Sequence, residues 1–91
     1  MKIAILGSGG REHAITLFIS KSKKIKKIYC LPGNAGTSEI AENIAIDIND
    51  FKKVYEFINL NNIDLVIVGP EDPLVNGIVD YLEKFNIKVF G

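Results

Sequence analysis

Short apolar runs alternate with stretches of helical periodicity along the whole chain. The runs Lys2–Leu6, Lys27–Leu31 and Ile63–Val68 predict strands; the first is rich in β-branched residues, as buried strands are, and the last is the strongest. Two weaker runs, Asn43–Ile46 and Ile87–Phe90, predict short strands. The pattern therefore predicts five strands.

Apolar residues at helical spacing predict three helices between these strands. The first extends from about Arg11 to Ser22, and Asp50 caps the second. Asp72 is placed to cap the third, with Pro73 in its first turn. The predicted inner faces hold Phe51, Val54, Tyr55 and Ile58 in the second helix, and Leu74, Val75, Ile78, Val79 and Leu82 in the third.

This alternation predicts an α/β fold, a Rossmann-like doubly wound sheet of five parallel strands in the order 3-2-1-4-5. In such a sheet the strand order reverses between the first and fourth strands. Ligands bind in the crevice at that switch point, at the carboxyl ends of the strands.

Composition narrows the classes of protein that the chain can represent. Its 91 residues suit one small domain, and a hydrophobic content of 47% excludes disorder. Eleven basic and eleven acidic residues balance, so we expect neither nucleic-acid nor membrane binding. The single cysteine, Cys30, lies in an apolar strand, which predicts a buried thiol in a reducing compartment. No stretch approaches roughly 18 uninterrupted apolar residues and the chain starts with a strand, so we expect a cytoplasmic protein.

A glycine-rich turn, Gly7–Gly10, joins the first strand to the first helix. Such a turn leaves backbone N–H groups unpaired at the positive end of a helix, where anions bind, and Arg11 adds a guanidinium. A dinucleotide motif is a poor fit, because Glu12 stands at its third glycine and no acidic residue ends the second strand. The alternative is that the glycines only permit a tight turn.

Two further special loops follow neighbouring strands. Gly33–Thr37 follows the second strand, and Gly69–Pro73 follows the fourth. All three loops fall at one edge of the predicted sheet, at the switch point. Their convergence predicts a small-molecule site there.

Four segments carry a resemblance to a known family: Ile5–Ala14, Pro32–Thr37, Asn43–Asp47 and Val68–Val75. In order and spacing they resemble the N-terminal domain of phosphoribosylamine–glycine ligase, or glycinamide ribonucleotide synthetase, of the ATP-grasp superfamily. The resemblance covers all 91 residues and implies a pre-ATP-grasp domain. It also implies an enzyme of de novo purine biosynthesis. ATP activates glycine as an acyl phosphate, the amine of 5-phosphoribosylamine attacks it, and ADP and phosphate are released.

The chain departs from the family in length, because family members continue into ATP-grasp and C-terminal domains. The resemblance places ATP and its Mg²⁺ or Mn²⁺ in those domains. Residues 1–91 are therefore expected to form a single substrate-binding domain with neither catalytic residues nor metal ligands. Alone it should bind no cofactor and be inactive. Its expected partners are 5-phosphoribosylamine and the enzyme's remaining domains.

The resemblance and the three loops together assign the candidate substrate-binding residues. They are Gly7, Ser8, Gly9, Gly10, Arg11, His13, Gly33, Asn34, Gly36, Gly69, Pro70 and Glu71. The glycines would bring backbone amides to a phosphate or ribose. Arg11 would pair with an anion or, alternatively, form a surface ion pair with Glu12 or another nearby carboxylate. Asn34 would bond a ribose hydroxyl or only shape its turn.

The other two side chains also have alternatives. His13 would face the crevice or be structural. Glu71 would accept from an amine or hydroxyl, or only favour a helix N-terminus.

Two other classes of protein stay open on the sequence. A non-enzymatic nucleotide-binding module would bind AMP or NAD with measurable affinity. A structural docking domain would leave the crevice without a ligand and use its helix faces for a partner.

Overall fold

Strands and helices alternate along the chain in the computed structural model, which describes residues 1–69 and 73–90. The strands are β1 (Lys2–Gly7), β2 (Lys27–Pro32), β3 (Glu42–Asn43), β4 (Leu65–Val68) and β5 (Val89–Phe90). The α-helices are α1 (Gly10–Ile19), α2 (Phe51–Leu60) and α3 (Pro73–Glu83), and a short 3-10 helix covers Thr37–Glu39.

The strands form one sheet in the order β3-β2-β1-β4-β5, and every neighbouring pair is parallel. The register aligns Leu6 of β1 with Leu31 of β2 and with Val68 of β4. The predicted fold class and strand order are therefore confirmed. β1 lies between β2 and β4, so the loops that follow these three strands share one edge.

The two faces of β1 bury their side chains against different helices. Ala4 and Leu6 belong to a core cluster that includes Val54 of α2 and Ile78 of α3. Ile3 and Ile5 point the other way, into a second cluster against which α1 packs with Ile15 and Ile19. A strand with both faces buried reads as a continuous apolar run, which is why β1 was recognisable in the sequence.

The helix ends follow local hydrogen bonds. α1 ends at Ile19, earlier than the predicted Ser22, because the Ser20 hydroxyl bonds the carbonyl of Leu17 (2.8 Å) and the chain then turns. α2 begins as predicted, since Asp50 Oδ1 accepts from the Lys53 amide at 3.2 Å.

The predicted inner faces are confirmed as far as the structure describes them. In α2, Val54 and Ile58 are buried, and Phe51 and Tyr55 pack half-buried against the same core. In α3, Ile78 and Leu82 are buried and Val79 is half-buried. The side chains of Leu74 and Val75 and the predicted cap at Asp72 lie outside the described part of the chain.

The third strand is shorter than predicted. β3 ends at Asn43, whereas the sequence predicted a strand to Ile46. The Ile44 amide still bonds the Cys30 carbonyl at 2.8 Å, but the Ile46 amide turns back onto the Ile44 carbonyl at 2.7 Å. This tight turn takes the chain out of the sheet. β4 and β5 likewise begin later than predicted, at Leu65 and Val89.

Among the residues placed by the structure, no helix combines the length and the apolar character required to cross a bilayer.

Candidate functional site

The glycine loop, Gly7–Gly10, lies at the carboxyl end of β1. Gly7 has a φ of 133°, a conformation that side chains disfavour, and Gly9 is the N-cap of α1. Ser8 and Gly9 are exposed, and their backbone N–H groups have no acceptor among residues 1–69 and 73–90. The loop therefore offers donors at a helix N-terminus, as an anion site requires.

The loop after β2 is bonded directly to the glycine loop. The Gly33 amide donates to the Gly7 carbonyl at 3.0 Å. The Asn34 side-chain amide donates to the carbonyls of Ser8 (2.8 Å) and Gly9 (3.2 Å). These contacts confirm that the two loops meet at one edge.

Asn34 also closes its own turn. Its Oδ1 accepts from the Thr37 amide at 3.0 Å, and its own amide donates to the Thr37 hydroxyl at 2.8 Å. Asn43 Nδ2 donates to the Asn34 carbonyl at 2.8 Å. Gly33, with a φ of 77°, takes the left-handed conformation that had been an alternative role for Asn34. Asn34 is thus a cross-link between loops, and its bond to a ribose hydroxyl stays a prediction.

Arg11 bridges the switch point from the other side. Its side chain is exposed, and Nη1 donates to the Gly69 carbonyl at 3.1 Å. This contact joins the start of α1 to the end of β4 and holds the guanidinium beside the glycine loop. Pro70 and Glu71, the other predicted residues of the β4 loop, lie outside the described residues.

His13 packs against the loop after β2. Its half-buried ring covers Gly36 so closely that a Cβ there would lie 2.9 Å from Cε1 and 3.0 Å from Nδ1. A side chain at Gly36 would therefore displace the ring or the loop. The arrangement supports a structural role for His13, and its predicted role toward a ligand stays a prediction.

Glu12 is a site residue that the sequence did not reveal. It entered the sequence argument as the residue that breaks a dinucleotide motif and as an alternative surface partner of Arg11, yet it is 3% exposed. Its carboxyl group lies among Gly7, Gly9 and Gly69, and a Cβ on Gly7 would overlap it. Its position three residues after the N-cap Gly9, where capping-box glutamates fold back over the helix start, was the available signal.

A cavity of about 430 Å³ opens beside the glycine loop. Gly7, Ser8 and Pro32 form one wall, and the segment 45–48 forms the other. The volume falls within the range of small-molecule sites. The second wall was missed because Ala45 and Ile46 were assigned to the third strand, and Asp47 and Ile48 were given no part in the site. Two larger hollows, of about 550 and 800 Å³, lie at the amino ends of strands, beside Lys27 and Leu65 respectively.

Two side chains of the described part of the chain have a shifted pKa, Cys30 and Lys27, and both lie outside this crevice. Burial raises the pKa of the Cys30 thiol, whose Sγ lies 3.4 Å from the Thr16 hydroxyl. A hydrogen bond to Glu42 raises the pKa of Lys27, and the two side chains form a 2.8 Å ion pair. In the same described part, no three His, Cys, Asp or Glu side chains cluster closely enough to hold a metal ion.

The chain matches a known protein family over its whole length. The model of the family described as phosphoribosylglycinamide synthetase, N domain, matches residues 1–91. The chain belongs to this family. The resemblance drawn from the four segments is thereby confirmed.

Relatives share the whole of this chain but are much longer. It is 50% identical over 91 residues to the phosphoribosylamine–glycine ligase of Caldanaerobacter subterraneus subsp. tengcongensis, and spans 22% of that protein. It is 43% identical over 95 residues to a trifunctional purine biosynthetic protein adenosine-3 of Chironomus tentans, covering 99% of this chain and 7% of that protein.

A solved structure shares the fold. The crystal structure of phosphoribosylamine–glycine ligase from Thermotoga maritima aligns with a TM-score of 0.57 and 30% identity. The alignment covers 77% of this chain and 16% of that one. The matched part is therefore a small fraction of the solved enzyme.

Proposed function

We propose that this chain is the N-terminal domain of a ligase that joins glycine to 5-phosphoribosylamine. ATP is hydrolysed to ADP and phosphate in this reaction, a step of de novo purine biosynthesis in the cytoplasm. The domain supplies the phosphoribosylamine side of the active site. Its family and its relatives' names support this assignment.

The observation that carries the proposal is the crevice at the switch point. The exposed amides of Ser8 and Gly9 and the Arg11 guanidinium lie there, and a cavity of about 430 Å³ opens on the β2 side of the same loop, against Gly7 and Ser8. Amides at a helix N-terminus and a guanidinium are groups that bind a phosphate. The polar backbone of the loops after β1 and β2 suits a ribose.

The described residues take no part in holding the nucleotide in this proposal. They contain no cluster able to bind Mg²⁺ or Mn²⁺, and the relatives have several times this chain's length. In this proposal ATP and its metal ion bind in the other domains of the longer enzyme, as the family resemblance implies, and those domains are this domain's partners. What the chain's own residues do is bind and orient the acceptor amine.

The direct test compares this chain alone with a chimaera. In the chimaera, the chain is followed by the part of the Caldanaerobacter relative that lies beyond the matched domain. Both are incubated with ATP, glycine and freshly formed 5-phosphoribosylamine, and ADP is measured. We expect release of ADP by the chimaera at an enzymatic rate and none above background by the 91-residue chain.

A chimaera assayed without glycine is the control, because the reaction requires both acceptor and carboxylate. Turnover by the isolated chain would show that a different chemistry resides in these loops. A folded chimaera that binds ATP but never forms glycinamide ribonucleotide would contradict the proposed function.

A further inference from the structure

Glu12 occupies a space that glycines from two different loops leave open. Its carboxyl group would be overlapped by a Cβ on Gly7 and would lie 3.2 Å from one on Gly9 and 3.4 Å from one on Gly69. Gly7 and Gly9 belong to the glycine loop, whereas Gly69 follows β4. The Glu12 side chain therefore lies between the glycine loop and Gly69 and packs against both.

Burial makes this position costly unless the side chain contributes something in return. Glu12 is 3% exposed, although glutamate is a residue that proteins almost never bury completely. Its place in the first turn of α1 favours a negative charge, because the amides of a helix N-terminus are only partly satisfied. A smaller residue would leave a void directly beneath Gly7.

We infer that Glu12 is a positioning residue, whose side chain acts as a wedge that fixes the glycine loop relative to Gly69. By its volume it holds the loop amides where the substrate's phosphoribosyl group meets them. Contact with the substrate itself is left to Ser8, Gly9 and Arg11. The kinetic part of this inference rests on the proposed function, whereas its packing part does not.

The packing part is tested on the 91-residue chain by thermal unfolding followed by circular dichroism. Gly9→Ala places a methyl group against Glu12, so we expect the melting temperature to fall by about 8 °C. In a Glu12→Ala background the same substitution should lower it by half as much or less, because the obstacle is gone.

Gly10→Ala is the matched control, since a Cβ at Gly10 meets nothing within 4 Å. It lies in the first turn of α1 and should leave the melting temperature unchanged or raise it. Equal losses from Gly9→Ala in both backgrounds would overturn the wedge, whatever reaction the protein catalyses.

The kinetic part is tested in the chimaera by comparing Glu12→Gln with Glu12→Ala. Glutamine keeps the volume of glutamate and should keep kcat/KM for phosphoribosylamine within about threefold, as volume-conserving changes are tolerated best. Alanine should lower it by about 10- to 100-fold, because the loop amides move out of place, while the KM for ATP stays unchanged.

Two results would overturn the positioning role. If glutamine is as damaging as alanine, the charge and not the wedge is what matters. If Glu12→Ala leaves phosphoribosylamine kinetics intact while the melting temperatures show the expected coupling between Gly9 and Glu12, the wedge serves stability alone. A chimaera that is inactive with Glu12 in place contradicts the proposed function and leaves the packing result standing.

Discussion

The glycine loop is held differently on its two sides. Toward β2 it is bonded through Gly33 and Asn34 to a turn that is itself closed by Thr37 and Asn43. Toward β4 it meets the buried Glu12 side chain and a contact from Arg11 to the Gly69 carbonyl. Among the described residues, several hydrogen bonds of one turn hold the β2 side, whereas the β4 side combines the packing of Glu12 with the Arg11 hydrogen bond.

This difference separates fixation from recognition. Hydrogen bonds that are satisfied within the protein fix geometry but leave fewer groups for a ligand, as the Asn34 side chain shows. On the β4 side the Arg11 side chain is exposed beside the glycine loop while its Nη1 bonds the Gly69 carbonyl. We therefore expect substitutions on the β2 side to cost mainly stability, and substitutions of Arg11 to cost mainly substrate use.

The largest loss of stability is expected from Gly33→Ala on the β2 side. Gly33 has a φ of 77°, and a Cβ there would overlap Asn43 and lie 2.7 Å from the Thr37 hydroxyl. The left-handed conformation and the clash together should lower the free energy of unfolding by about 3 kcal/mol. Chemical denaturation measures this loss, and Gly10→Ala serves as the control. A loss below about 1 kcal/mol would mean that the turn is not rigid.

A smaller loss is expected from Asn34→Ala. The substitution removes two bonds to the glycine loop and one from the Thr37 amide, each worth about 0.5–1.5 kcal/mol, so about 2 kcal/mol should be lost. Asn59→Ala is the matched control, because Asn59 is exposed on α2 and should change stability by less than about 0.5 kcal/mol. Equal effects of the two substitutions would show that the cross-link contributes nothing.

The smallest effect on stability is expected from Cys30, which is buried in β2. Its burial should make labelling of the native chain by a thiol reagent at least about 100-fold slower than labelling of the unfolded chain. Burial raises the pKa of the Cys30 thiol in the folded state. The protonated thiol therefore contributes fully to stability at pH values below 9.0, the ordinary pKa of cysteine.

That contribution is lost as the pH rises above 9.0 toward the folded pKa, because the unfolded chain releases its proton first. Denaturation at a series of pH values should show this slope, and Cys30→Ala should lack it. Rapid labelling of the native chain would indicate that the sheet around β2 opens readily.

The parts of the fold that depend on periodicity could be predicted from the sequence. The continuous apolar run of β1 and the cap at Asp50 were recognised because their signals are local. Strand order followed from the alternation of elements and the handedness of crossovers. The end of β3 was missed, because the turn at Ile44–Ile46 leaves no strong mark in a run of β-branched residues.

The candidate site was predictable only as a place. Glycine-bearing loops at the carboxyl ends of neighbouring strands indicated where ligands bind. Whether a side chain of these loops bonds another loop or faces the crevice depends on contacts between residues distant in sequence. Asn34 bonds the glycine loop across more than twenty intervening positions, and Glu12 fills a space created in part by Gly69. Neither contact has a sequence period.

The most direct test of the account is the effect of Arg11→Ala on the kinetics of the chimaeric ligase. Loss of a charge-assisted contact worth about 1.5–3 kcal/mol should lower kcat/KM for phosphoribosylamine by about 10- to 150-fold. The KM for ATP should stay unchanged, and Lys52→Ala, which alters an exposed residue of α2, should change neither constant. A raised KM for ATP with unaltered phosphoribosylamine kinetics would show that the glycine loop serves the nucleotide, and would contradict the placement of the substrate.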